Sequence, residues 1–212
     1  MLSVSFRMIG VGIPFLCVFF GCTPDILTPS DYIKYVRNPN NGFIERHNHP
    51  SGAYIEAFYQ PPEYVALTQL RNRVPGDSIL SYEIERNSSF YHIFLTIGSE
   101  SGSPIDELLK KVNDGKQSFE ERKQFMLYKA QNCFSLQVNG DSLPCVFYHA
   151  QMTGKIENAY HFVVAFEIDS ARIGLNQNKD FTLIYTDSIW FQKRFDFAFD
   201  KYRIDQSPRL KI

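Results

Sequence analysis

The chain has no His-Glu-x-x-His, no Gly-x-x-x-x-Gly-Lys-Ser/Thr and no Gly-x-Gly-x-x-Gly. Those absences remove the sequence marks of a zinc peptidase, a P-loop nucleotidase and a dinucleotide-binding fold. Gly98-Ser99-Glu100-Ser101-Gly102 has glutamate where a nucleophile elbow needs serine. Charge of one sign is not in surplus either. The 22 Lys and Arg against 23 Asp and Glu leave a net charge of -1, which gives no basic face for nucleic acid. Only 4 cysteines are present, too few for a disulfide-dense scaffold. The longest apolar run, Met8 to Phe20, falls short of the roughly 20 residues that a spanning helix needs. The sequence therefore offers no catalytic residue and implies no cofactor.

What is present begins at the amino terminus. Arg7 supplies a positive start, Met8 to Phe20 a short apolar core, and Gly21 a small residue before a cut, which is the pattern of an export signal. Gly10, Gly12 and Pro14 make the core a poor permanent helix. The four residues Phe19-Phe20-Gly21-Cys22 resemble the lipobox of bacterial lipoproteins. That resemblance implies lipidation at Cys22, removal of residues 1–21, and attachment to a membrane through acyl chains. Thr23-Pro24-Asp25 lacks the aspartate directly after the cysteine that retains enterobacterial lipoproteins in the inner membrane, so the outer membrane is expected.

The remainder reads as α+β. With 19 Phe and 12 Tyr, it suits strands better than a helical bundle. Thr28-Pro29-Ser30-Asp31 is a helix start running to about Arg37, and Asn38 to Gly42 is a dense turn signal. Pro61-Pro62-Glu63 opens a second helix, Ser103-Pro104 a third, and the capping box Ser118/Glu121 a fourth. Residues 79–85 fit strand or helix equally, and 90–97 a strand. From Phe134 onward the hydrophobic period is two, clearest in Phe195, Phe197 and Phe199 against Asp196, Ala198 and Asp200. The expected organisation is a signal peptide (1–21), an N-terminal helix-and-strand region (22–116), and a helix followed by a C-terminal antiparallel β-sandwich (117–212), with an immunoglobulin-like form admitted. No linker marks residue 116, so a single domain is the alternative.

Several residues could carry chemistry. His47 and His49 would share a strand face and could chelate a metal given further ligands, although Pro50 and Ser51 favour a loop. Asn176, Asn178, Asp180 and Asp187 faintly echo a calcium loop but place Phe181 where glycine is required. Asp196 and Asp200 share one face of a strand that faces solvent. Cys133 and Cys145 flank the hairpin signal Asn139-Gly140 and are a candidate disulfide if their Cα atoms come within about 7 Å. Tyr54, Phe58, Tyr59 and Tyr64 around Pro61-Pro62, with Trp190 and Phe191, are candidate aromatics for a protein interface or for stacking on glycan rings.

Asp77-Ser78-Ile79, Asp141-Ser142-Leu143, Asp169-Ser170-Ala171 and Asp187-Ser188-Ile189 share an Asp-Ser-aliphatic pattern. It resembles the O-glycosylation acceptor of Bacteroidetes-type bacteria. With the leader, it makes the chain similar to outer-membrane lipoproteins of that group and implies modification at Ser78, Ser142, Ser170 and Ser188. The expected function is a non-catalytic accessory or structural subunit of a cell-envelope protein assembly. A glycan or small-ligand binding lipoprotein is the alternative, and a metal-dependent hydrolase the second. The expected partners are the membrane, an envelope protein and a glycan, and not nucleic acid.

Overall fold

The computed structural model describes residues 26–70, 76–112, 117–151, 158–168 and 180–212. Cys22, Ser170, Asn176 and Asn178 lie outside them. Two of the four helix starts expected from sequence form with side-chain caps. Thr28 Oγ1 accepts the backbone N–H of Asp31 at the head of α1 (Pro29–Val36). The capping box closes on α5 (Phe119–Tyr128), where Ser118 Oγ accepts from Glu121 N and Glu121 Oε2 accepts from Ser118 N. Between them lie α2 (Pro62–Gln69), α3 (Asp77–Asn87) and α4 (Ile105–Val112). The ambiguous stretch is helical because Leu80, Glu83, Ile84 and Asn87 recur at i, i+3, i+4 and i+7 and are the residues withdrawn from solvent. Asn87 Nδ2 fixes that face by donating to Gln69 Oε1 and Glu83 O. A short α6 (Lys201–Asp205) starts at Asp200, whose side chain accepts from Arg203 N. Among the described residues no helix is long and apolar enough to cross a membrane.

Among the described residues three sheets organise the strands. The largest pairs β2 (Ile44–Asn48), β3 (Ala53–Gln60), β4 (Phe90–Ser99), β8 (Ala159–Glu167) and β7 (Phe147–Gln151), in that spatial order. The second pairs β10 (Lys193–Phe199), β9 (Phe181–Asp187), β5 (Phe134–Val138) and β6 (Asp141–Pro144). Every pairing in these two is antiparallel. A two-stranded parallel ribbon joins β1 (Ile26–Leu27) to β11 (Arg209–Leu210). Asn139 and Gly140 turn the β5–β6 hairpin with φ of 57° and 92°, both positive as a type I′ turn requires.

The expected separation near residue 116 does not divide the sheets. Seven of the ten residues of β4 are buried, so its backbone N–H and C=O groups need a strand on each side. The N-terminal region supplies β3, and β8 supplies the other, in register from Phe90↔Glu167 to Gly98↔Ala159. Four of the C-terminal strands, β5, β6, β9 and β10, pair with one another, but β7 and β8 do not join them. Those two extend the N-terminal sheet.

Both large sheets feed one aromatic core. Tyr59 and Tyr91 of the first meet Phe181 of the second at centroid distances of 4.9 and 4.8 Å, and Phe199 stacks on Phe181 at 5.1 Å. Helix α5 closes another side through Met126, whose carbonyl accepts the Tyr148 hydroxyl. Rings of this size bury roughly 150–250 Å² each, so the aromatics supply much of the hydrophobic driving force.

Candidate functional site

The aromatic residues singled out from sequence do not form an exposed platform. Phe58, Tyr59, Tyr64 and Trp190 are core residues. Tyr64 is held by the Arg37 side chain, whose Nε donates to the phenolic oxygen at 2.7 Å. Tyr54 is half-buried with the Arg46 guanidinium 3.8 Å above its ring. Phe191 packs between His49 and Phe195 at 4.7 and 5.8 Å. Their spacing around Pro61-Pro62 reflects strand β3 entering the core beside α2. Alternation in β3 could have shown this for Tyr59, which shares a strand face with Ile55 and Ala57.

His47 and His49 have separate employments. His47 Nε2 lies 2.9 Å from the carbonyl oxygen of Asp196, and its ring contacts Phe197 edge-on at 4.8 Å. His49 Nδ1 pairs with Ser51 Oγ at 2.8 Å, and partial burial followed by the Lys193 charge lowers its pKa. Among the described residues no three His, Cys, Asp or Glu side chains come together as a metal would need. The carboxylates of the calcium-like stretch are spent on backbone caps. Asp180 Oδ1 accepts from Lys201 N. Asp187, almost fully buried, accepts from the N–H groups of Ile189, Trp190 and Phe191. Asp196 is paired with Arg194 on the exposed face of β10.

Cys133 and Cys145 are free thiols rather than a disulfide. The register pairs Ser135 with Pro144, so the hairpin sets Cys145 beyond its last pair, beside Phe134 rather than Cys133. Cys145 Sγ donates instead to the Phe147 carbonyl oxygen at 3.0 Å. Burial raises the Cys133 thiol and pushes Cys145 up to about 11. Ser78, Ser142 and Ser188 are all exposed.

Two features went unnoticed in the sequence. The first is the free edge of β7, which pairs with β8 on one side and has no strand on the other among the described residues. Val146 and Phe147 at its start are 44% and 51% exposed. Helix α5 packs behind this strand and ends on Tyr128, 66% exposed. The alternation Phe147-Tyr148-His149-Ala150-Gln151 carries the signal, with Tyr148 and Ala150 turned inward. The second is a cavity of about 430 Å³ between α1, α2, α6 and β11, lined by Tyr32, Tyr59, Glu63, Lys201, Asp205 and Ser207 among others. The Tyr32 hydroxyl donates to Glu63 Oε2 at 3.4 Å, and Lys201 pairs with Asp205. Ser207 Oγ is buried there without a partner.

No protein-family model matches the chain, and no curated protein matches it. Among solved structures, it is similar to a novel protein of unknown function from Burkholderia pseudomallei, with 10% identity over 83% of this chain and 91% of that one and a TM-score of 0.36. A likeness at that level carries no argument about fold detail or activity.

Proposed function

We propose that this chain is a lipid-anchored, non-catalytic accessory protein of the cell envelope that docks onto a protein partner along the free edge of β7. The observation behind this reading is the conjunction of an unpaired strand edge with exposed Val146 and Phe147. Natural sheets usually blunt such edges with charge, proline or a covering element. This one carries apolar side chains, which suits a partner that adds a strand to the sheet and buries Phe147 in a pocket. Tethering at Cys22 in the outer membrane would raise the local concentration of a membrane-bound partner. Within this reading the two large sheets are the facing layers of a sandwich, and exposed Ser78, Ser142 and Ser188 are sites for O-glycosylation. The test is to isolate the natively lipidated protein with whatever binds it, beside Phe147→Glu. A stoichiometric partner that the variant loses supports edge docking, and equal recovery with both forms contradicts it.

A second reading, as a small-ligand or glycan binding protein, is favoured by the cavity whose lining includes Tyr32, Tyr59, Glu63, Asp205 and Ser207, the last with a buried hydroxyl that has no partner. Thermal shifts with a glycan panel, lost in Ser207→Ala, would support it. Metal-dependent hydrolysis has less support, because His47 Nε2 is directed to the Asp196 carbonyl and His49 Nδ1 to Ser51.

A further inference from the structure

The β1–β11 ribbon has two unlike faces. Leu27 and Leu210, register partners, pack against the core. By strand alternation the opposite face carries Ile26 and its partner Arg209, with Lys211 one further step along. Ile26 is 67% exposed, and Arg209 and Lys211 are exposed as well. Neither cation makes an ion pair with a described residue, whereas Asp205 in the preceding helix is engaged by Lys201. Lys211 is nevertheless fixed in place, since its backbone N–H donates to Leu27 O at 2.8 Å. This face sets an exposed aliphatic beside one cation and near a second, neither of them in an ion pair among the described residues. It is the composition that suits the boundary of an anionic bilayer.

We infer that the outer face of this ribbon lies on the membrane that holds Cys22, with Arg209 and Lys211 on anionic phospholipid headgroups and Ile26 at the acyl boundary. The inference rests on the lipid-anchor reading. Three residues separate Cys22 from Ile26, so even a fully extended chain holds Ile26 within about 14 Å of the lipidated cysteine. A tether this short keeps the ribbon beside the bilayer, where its cations can come within the roughly 8–10 Å over which charges act through physiological salt. Each cation near an anionic surface is worth about a fivefold gain in partitioning, so the pair fixes how the domain sits on the bilayer. The β7 edge belongs to a different sheet, which leaves it available to a partner.

The test uses natively lipidated protein, its Cys22 modification verified by intact mass, in vesicles of phosphatidylglycerol with phosphatidylethanolamine or of phosphatidylcholine alone. Amide hydrogen exchange is followed in the ribbon and in the β5–β6 hairpin. On anionic vesicles, amide exchange within 26–27 and 209–211 slows at least fivefold relative to phosphatidylcholine. The hairpin does not change, and Arg209→Gln/Lys211→Gln abolishes the difference. Equal ribbon exchange on both vesicles overturns the inference. So does protection that grows with protein concentration in the absence of lipid, which would identify a second copy as the occupant. An unmodified Cys22 rejects the anchor alone. Salt-sensitive co-sedimentation of that protein with anionic vesicles, lost in the double variant, would still support the basic face, and its absence would overturn it.

Discussion

The ring of Tyr54 lies across Gly98, its register partner on the neighbouring strand, so closely that a β-carbon on Gly98 would fall 2.3 Å from Tyr54 Cζ. The Arg46 guanidinium also lies over this ring, 3.8 Å from its centroid. A glycine in the buried end of β4 is thus the seat of an aromatic side chain, and Tyr54, which reads in sequence as an interface residue, is a packing residue first.

Gly98→Ala should therefore lower stability by about 1–3 kcal/mol through overpacking. Pairing it with Tyr54→Ala should recover part of the loss, because the clash goes with the ring. Urea denaturation of the two single variants and the double variant measures the coupling. Strict additivity would contradict the contact.

Asp187 holds the turn that follows β9. Its carboxylate accepts three successive backbone N–H groups, from Ile189 to Phe191, and so places Trp190 in the core. Asp187→Ala leaves buried donors without acceptors and should cost about 2–4 kcal/mol. Asp187→Asn, which keeps one acceptor oxygen, should cost less. Thermal unfolding and the indole fluorescence of the lone tryptophan report both effects.

His92 gives the fold a pH dependence. Burial lowers its pKa from 6.5 to about 4, and its Nε2 is buried without a partner. The folded state therefore binds fewer protons than the unfolded state between these values. The contribution is complete above about pH 6.5 and is lost as pH falls toward 4, by up to about 3 kcal/mol. Urea midpoints at pH 7 and pH 5 should differ more for the native sequence than for His92→Leu. An equal difference would contradict a neutral buried imidazole.

The two thiols should react slowly. With Cys145 raised from an ordinary 9.0 to about 11, its thiolate fraction near pH 8 falls about 100-fold, and alkylation should slow accordingly until the protein is denatured. Two free thiols in unreduced protein are expected by mass after denaturing alkylation, and a single bridged species would contradict the hairpin register.

Local chemistry made much of this legible in the sequence. Thr28, Ser118 and Asn139-Gly140 act through atoms within a few residues of themselves, so their caps and turn form as the sequence pattern requires. The partner of β4 was not legible, because its second neighbour comes from β8, more than fifty residues away, and both strands are apolar enough to pair with several others. The aromatics misled for a related reason. Clustering in sequence near Pro61-Pro62 does not distinguish a surface patch from a strand entering the core, and only the alternation of β3 separates them. Phe147 went unnoticed because its exposure shows only in the alternation of β7, where Tyr148 and Ala150 turn inward.

Docking through the β7 edge is tested most directly by site-specific photocrosslinking of the lipidated protein in its own cells, with the crosslinker at Phe147 and, as a control, at exposed Tyr82 of α3. Edge docking predicts one discrete adduct from position 147 and none from position 82. No adduct at 147, or the same adducts from both positions, would contradict it.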